Sequence, residues 1–200
     1  MNFDTKHLVR WGIPGWILIM IIGPYLFFNF QDEIGEIIKS SNALALGAFI
    51  TIIGVPLGYL LNQIHHSIFW VMRLFRFSSK IKEQEKWFEY FKQEIQVDNL
   101  FYSHGDKGEK MQERYRYLLS RKHELGGVTV SLAIACIVMF FMNILNYSIE
   151  GWSWFYLLVF FILFLIIGLS RWYSSKNIDK YFEYYLEESK KIKDKDKGEG

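Results

Sequence analysis

Four long apolar runs divide this chain, at roughly 11–30, 47–70, 127–145 and 152–169, and the segments between them alternate polar and apolar positions at helical spacing. A helix needs about 20 apolar residues to cross a hydrocarbon core of roughly 30 Å, and the first, third and fourth runs have about that length. The second is less sharply bounded, because no ionised residue occurs between Asn42 and Arg73. The pattern predicts an all-α integral membrane protein with four transmembrane helices arranged as two hairpins. Residues 1–72 would form the first hairpin, 73–125 a cytoplasmic helical linker region, 126–170 the second hairpin, and 171–200 a cytoplasmic helix with a disordered tail.

Charge gives these spans a direction. Of the 23 Lys and Arg residues, only Lys39 falls in the two loops 31–42 and 146–151, which otherwise carry Asp32, Glu33, Glu36 and Glu150. Basic residues near span ends are retained on the cytoplasmic side. Four crossings with both termini in the cytoplasm of a cell whose inner (plasma) membrane holds the protein are therefore expected. The net charge of +2 conceals this asymmetry, which lies across the bilayer rather than along the chain. Trp11, Trp16, Trp70 and Trp172 fall at the proposed inner ends and Trp152 and Trp154 at an outer end, as indole rings at headgroup level should. The first run is expected to be a retained span, since its apolar stretch is about twice that of a secretory signal and no small-x-small site follows it.

A second regularity follows the even-numbered runs. Arg76-Phe77-Ser78-Ser79-Lys80 and then Lys86-Trp87-Phe88-Glu89-Tyr90-Phe91 are echoed by Arg171-Trp172-Tyr173-Ser174-Ser175-Lys176 and Lys180-Tyr181-Phe182-Glu183-Tyr184-Tyr185. Tyr59-Leu60-Leu61 and Tyr156-Leu157-Leu158 precede the two echoes at similar distances. The pattern suggests a parallel duplication of two spans plus a cytoplasmic helix; two unrelated juxtamembrane helices of similar composition are the alternative. Both cytoplasmic segments read as amphipathic helices, with Gln84, Phe88, Phe91 and Ile95 on one face of the first and Ile178, Phe182, Tyr185 and Leu186 on one face of the second. Their stripes are expected to pack on each other or the inner leaflet, or to assemble subunits. Lys190 onward has nothing to bury and is expected to be disordered. Gly105-Asp106-Lys107-Gly108 reads as a loop, and 109–125 as a helix stopped by Gly126-Gly127.

The chemistry-bearing candidates are few. Arg114, Arg116, Arg121 and Lys122 crowd the membrane-proximal end of that helix, where basic side chains attract anionic lipid headgroups, or an anion such as a nucleotide or RNA phosphate. Asn62, Gln63, His65 and His66 are polar groups at or near membrane depth, where such groups are often functional. Gly47, Thr51, Gly54 and Gly58, around Pro56, form a small-residue face suited to close helix packing, a subunit interface or a pore. Pro24 and Pro56 should kink their helices and free carbonyls. The single Cys136 lies inside the third run and reads as a small buried residue. One Cys and five scattered His offer no metal-ligand spacing, no cofactor motif occurs, Gly-x4-Gly-Lys-Ser/Thr and Gly-x-Ser-x-Gly are absent, and no ionisable Asp, Glu, Lys or Arg stands inside a run to serve an ion-coupled transporter.

Arg116 and His123, separated by six residues, resemble the Arg-x4-6-His signature of HEPN ribonucleases. That resemblance implies an RNA-cleaving pair at a dimer interface, although Tyr117 stands where the family often has a polar residue. Three function classes follow. The first is a non-enzymatic, self-associating membrane protein: a pore-forming or membrane-perturbing effector, or a sensor coupling a cytoplasmic protein to the bilayer. In architecture this is similar to the small multi-pass effectors of bacterial anti-phage defence. The second is a membrane-tethered ribonuclease using Arg116 and His123, and the third a lipid-modifying accessory protein. Membrane lipids and further copies of the chain are the expected partners.

Overall fold

The computed structural model describes residues 5–32, 35, 42–68, 80–145 and 151–198. Five long helices account for nearly all of them: α1 (Thr5–Asn29), α2 (Ala43–His66), α3 (Lys80–Ser103), α4 (Gly105–Leu145) and α5 (Gly151–Gly198). Four of these, α1, α2, α4 and α5, are long and apolar enough to cross a membrane. Trp70, the loops around Lys39 and Asn146, and Arg76 to Ser79 of the first sequence echo lie outside the described residues.

The chain divides into two compact units. One, here the span unit, comprises residues 1–67 and 123–171; the other, the polar unit, comprises 68–122 and 172–200. At about 1.5 Å per residue, α4 with 41 residues and α5 with 48 are about twice as long as a hydrocarbon core is thick, and each contributes to both units.

In the span unit, α2 starts at an Asn42 cap whose side-chain oxygen accepts from the Leu44 N–H at 3.0 Å. The core is built on α4, which supplies Val130, Leu132, Ala135, Cys136 and Met139 against Leu18, Ile21 and Tyr25 of α1 and Leu61 of α2. Tyr156, Leu157, Phe160, Phe164 and Ile167 of α5 line its edge. Close backbone approach joins α1 to α2. A methyl group on Gly15 would overlap the backbone of Gly54 and Gly58, one on Gly58 the Trp11 carbonyl, and one on Gly54 the Trp16 ring. Trp16 is half-buried in this contact, and its indole N–H donates to the Thr51 carbonyl at 3.2 Å. Lipid offers no hydrophobic drive for one helix to join another, so contact distance and hydrogen bonding decide which faces meet.

Two expectations about helix ends are corrected. Gly126-Gly127 does not stop the helix before the third span, since α4 runs through both. Two interior glycines disfavour a helix by about 1 kcal/mol each relative to alanine; here both positions are filled by neighbours. A methyl on Gly126 would overlap the His65 ring, and one on Gly127 would overlap Asn62 and meet Pro14. Likewise 105–108 is the first turn of α4 rather than a loop. The reversal is confined to His104 and Gly105, whose φ of 51° is the left-handed value that glycine adopts without strain. Gly108 then lets α4 pass against the Phe101 carbonyl at the end of α3.

Helix α5 continues to Gly198, beyond the expected break at Lys190. Glu187 and Lys191, both exposed, stand at a spacing that supports a helix by about 0.2–0.5 kcal/mol. Of the faces open to it, α3 does not pack the Phe88, Phe91 and Ile95 stripe against α5. Val97, Leu100 and Phe101 are buried with Tyr185 of α5, while Phe88, Phe91 and Ile95 are exposed. Ile178, Phe182, Tyr185 and Leu186 of α5 do turn inward together. Neither Pro24 nor Pro56 ends its helix. The carbonyls that accept side-chain donors near them are Ile21, from the Tyr156 hydroxyl at 3.0 Å, and Thr51, rather than those of Met20 and Ile52 four residues before each proline.

Replacing Gly58 by Ala should destabilise the protein by about 1–3 kcal/mol, because backbone has to move to admit the methyl. Gly47→Ala, which projects into open space, should stay within about 0.5 kcal/mol of wild type. Reversible unfolding in mixed micelles measures both, and equal effects would refute this account of the α1–α2 contact.

Candidate functional site

The polar residues of the span unit gather at its two ends. At one end α2 finishes with Asn62, His65 and His66, and α4 brings His123 beside them. His123 stacks on His66 with ring centroids 5.9 Å apart and planes 8° from parallel, and meets His65 edge-on at 6.1 Å. Burial is graded: His65 is 3% exposed, His123 is half-buried and His66 is exposed. The cluster depends on the glycines that were expected to end the helix, since any side chain at Gly126 would displace the His65 ring. Asn62 packs against Gly127 and Gln63 points outward, so of the four polar residues named on α2, three belong to this end. No group of three or more His, Cys, Asp or Glu with metal-holding geometry occurs among the described residues.

At the opposite end a neutral network crosses three helices. The Tyr25 hydroxyl of α1 donates to the Asn143 side-chain oxygen of α4, and lies 3.4 Å from the Met139 carbonyl. The Asn29 amide N–H donates to the Tyr25 carbonyl at 2.7 Å, and the Ser153 hydroxyl of α5 donates to Asn29 Oδ1 at 2.7 Å. Tyr25 and Ser153 are wholly buried and Asn143 is 5% exposed. Between the two ends the Ser131 hydroxyl stands 2.8 Å from the Pro14 carbonyl and 3.0 Å from that of Gly127, its own helix's acceptor. Sequence reasoning passed over these residues because it searched the spans for ionised groups. Asn29 and Asn143, both near span ends, were the available signal.

The small-residue face of α2 is split by the fold. Gly54 and Gly58 are buried against α1, whereas Gly47, Thr51 and Pro56 are exposed, with the Thr51 hydroxyl donating to its own helix at Gly47 O, 2.9 Å away. The basic residues of α4 are divided too. Arg114 lies over the Tyr181 ring at 5.1 Å, a cation–π contact inside the polar unit. Arg116 and Arg121 are exposed and Lys122 is half-buried. Arg116 and His123 stand two helical turns apart on α4, and His123 faces the histidines of α2.

A phenol of the polar unit is strongly perturbed. Tyr115, packed between Phe101 and Phe182, has its phenol pushed up to about 12, first by burial and then by the carboxylates of Glu94, Asp98 and Asp179. Burial also raises Tyr185, against a lowering influence from Arg114. His104 closes α3: its ring Nδ1 lies 2.9 Å from the Leu100 carbonyl, which can only accept, so the proton sits on Nδ1.

Among known proteins, no family model, no curated protein and no solved structure matches this chain.

Because the folded state raises the Tyr115 phenol above its unfolded value of about 10, its contribution to stability is complete below that pH and is lost as pH rises through about 12. A Tyr115→Phe variant should therefore lose less stability than wild type between about pH 10 and 12. Tyrosinate absorbance and thermal unfolding followed over that range check it, and parallel wild-type and variant curves would sink it.

Proposed function

We propose that the protein is a non-enzymatic membrane coupling protein, a sensor in which a cytoplasmic helical unit reads the state of a four-span bundle. The bundle inserts as two hairpins with both termini in the cytoplasm, and the polar unit is the cytoplasmic part. The observation that carries this reading is the continuity of α4 and α5, each an unbroken helix shared by both units, with glycines at 126 and 127 packed rather than used as a break. A continuous helix transmits rotation or translation that a flexible linker would absorb.

Support for the sensor over the pore comes from the span surfaces. The exposed side chains of α5 between Trp154 and Leu169 include Phe155, Leu158, Val159, Phe161, Ile162, Leu163, Leu165 and Ile166, all suited to lipid. A conducting pore needs polar lining, and the hydroxyls of the buried Tyr25 and Ser153 are spent on Asn143 and the half-buried Asn29. Self-association remains part of the proposal, with the exposed Phe88, Phe91 and Ile95 of α3 as the surface available for a protein partner or a second copy. For the ribonuclease reading, the packing of His123 against His65 and His66 supplies a structural role that needs no RNA.

The test places an environment-sensitive fluorophore on Ser103→Cys and reconstitutes the protein in bilayers of increasing acyl-chain length. Emission should shift with bilayer thickness, and Glu124→Pro, which interrupts α4 at an exposed position, should abolish the shift. Emission that is indifferent to thickness, or a shift that survives Glu124→Pro, would refute the coupling. Release of a trapped dye from the same vesicles would favour the pore instead.

A further inference from the structure

The chain passes between its two units three times, and the passages fall immediately after Ser67, before His123 and after Arg171. His65 and His66 thus end the span unit on the first passage and His123 opens it on the second, which puts all three imidazoles at the thresholds. Stacked and edge-on ring contacts bring them into one cluster. We propose that this cluster is a proton-responsive collar that controls the α2–α4 contact where the span unit hands the chain to the polar unit. The proposal rests on the coupling reading above and names its signal as proton concentration.

The physical basis is the chemistry of imidazole, the one side chain whose ordinary pKa lies near 6.5. Neutral rings stack without electrostatic penalty, whereas imidazolium rings about 6 Å apart lie inside a Debye length of about 8 Å and repel. Charge on more than one ring of the cluster is therefore opposed by like-charge repulsion between neighbours. The neighbouring charges are mixed. Helix α4 carries Arg121, Lys122 and Glu124 within two residues of His123, and α2 carries no Asp, Glu, Lys or Arg between Ala43 and His66. Arg171 of α5 comes to the same level, because Gly168, one turn earlier, meets Thr129 of α4. Along α1 the nearest ionisable residues are Lys6, His7 and Arg10, whose side chains lie outside the described ones. Among the described neighbours named here, Arg121, Lys122 and Arg171 outnumber Glu124, so added protons raise an already positive end.

Geometry restricts how that strain is relieved. His65 is almost fully buried under Gly126 and cannot turn outward without moving α4. His66 is exposed and can turn away from His123 on its own, so the strain without a local outlet is that on the buried His65 ring. Protonation thus opens the α2–α4 contact rather than repacking it in place. The collar stays closed above the imidazole range and loosens as pH falls through it.

The experiment uses the full chain in nanodiscs of zwitterionic lipid and follows the unfolding temperature from pH 8 to 5.5. Wild type should lose on the order of 5 °C between pH 7 and 6, while His65→Gln/His66→Gln/His123→Gln should change by less than about 1 °C. A His104→Gln control, in the polar unit at the end of α3, should follow wild type. If the triple variant falls in parallel with wild type, the collar is refuted. Should it fail to fold, imidazole NMR titrations of wild type and His66→Gln decide: the His123 midpoint must move when His66 is removed, and an unmoved midpoint also refutes the collar. The fluorophore on Ser103→Cys separates this from the coupling itself. A pH step in stability with a silent fluorophore upholds the collar and overturns the coupling; a fluorophore that reports bilayer thickness without any pH step does the reverse.

Discussion

Everything in the span unit depends on how helices recognise one another when the surrounding solvent is as apolar as they are. Burying Leu or Phe gains little there, so selectivity must come from contact distance and from hydrogen bonds made inside the bundle. This chain uses both. Gly15, Gly54 and Gly58 bring α1 and α2 within backbone contact, and Gly127 of α4 leaves room for the side chains of Pro14 and Asn62. Tyr25, Asn143, Asn29, Ser153 and Tyr156 then fix the positions of α1, α4 and α5 along one another. Individual interhelical hydrogen bonds in membranes average only about 0.6 kcal/mol, with the strongest near 1.7. Their value here is in register: sliding α1 by one residue against α4 would part the buried Tyr25 hydroxyl from Asn143, whose side-chain nitrogen already has no partner.

The polar unit follows the other rule. Val97, Leu100, Phe101 and Tyr185 are buried together, and rings such as Tyr115 and Phe182 close around them, the kind of cluster that removal of apolar surface from water favours. Tyr115 carries the cost of that enclosure in a phenol that resists ionisation. A single pair of helices takes part in both regimes, and the change of rule falls near residues 123 and 171.

What could be read from the sequence reflects this division. The spans were legible because a long uncharged run has few alternatives to crossing a bilayer, and α2 could be seen to hold a small-residue face. Which of those small residues would be used was not legible, since that depends on the partner. Gly54 and Gly58 found α1, while Gly47 met nothing. Gly126-Gly127 misled because a glycine pair has the same sequence appearance whether it ends a helix or lets a histidine ring lie against it. On α3, two opposed apolar faces competed; the stripe of Phe88, Phe91 and Ile95 looked the more regular, yet Val97, Leu100 and Phe101 are the residues buried. The nearness of His123 to His65 and His66 spans more than fifty positions and could not be inferred from spacing.

Cys136 is the only cysteine, and it is enclosed by the span core with 8% of its surface exposed. A thiol reacts as the thiolate and only where reagent can reach it. The natural chain is thus close to silent towards water-soluble maleimides, and a cysteine introduced on any outward position becomes the sole reactive handle without first deleting the native one. The apolar interior, by hiding its sulfur, leaves the rest of the surface open to mapping residue by residue.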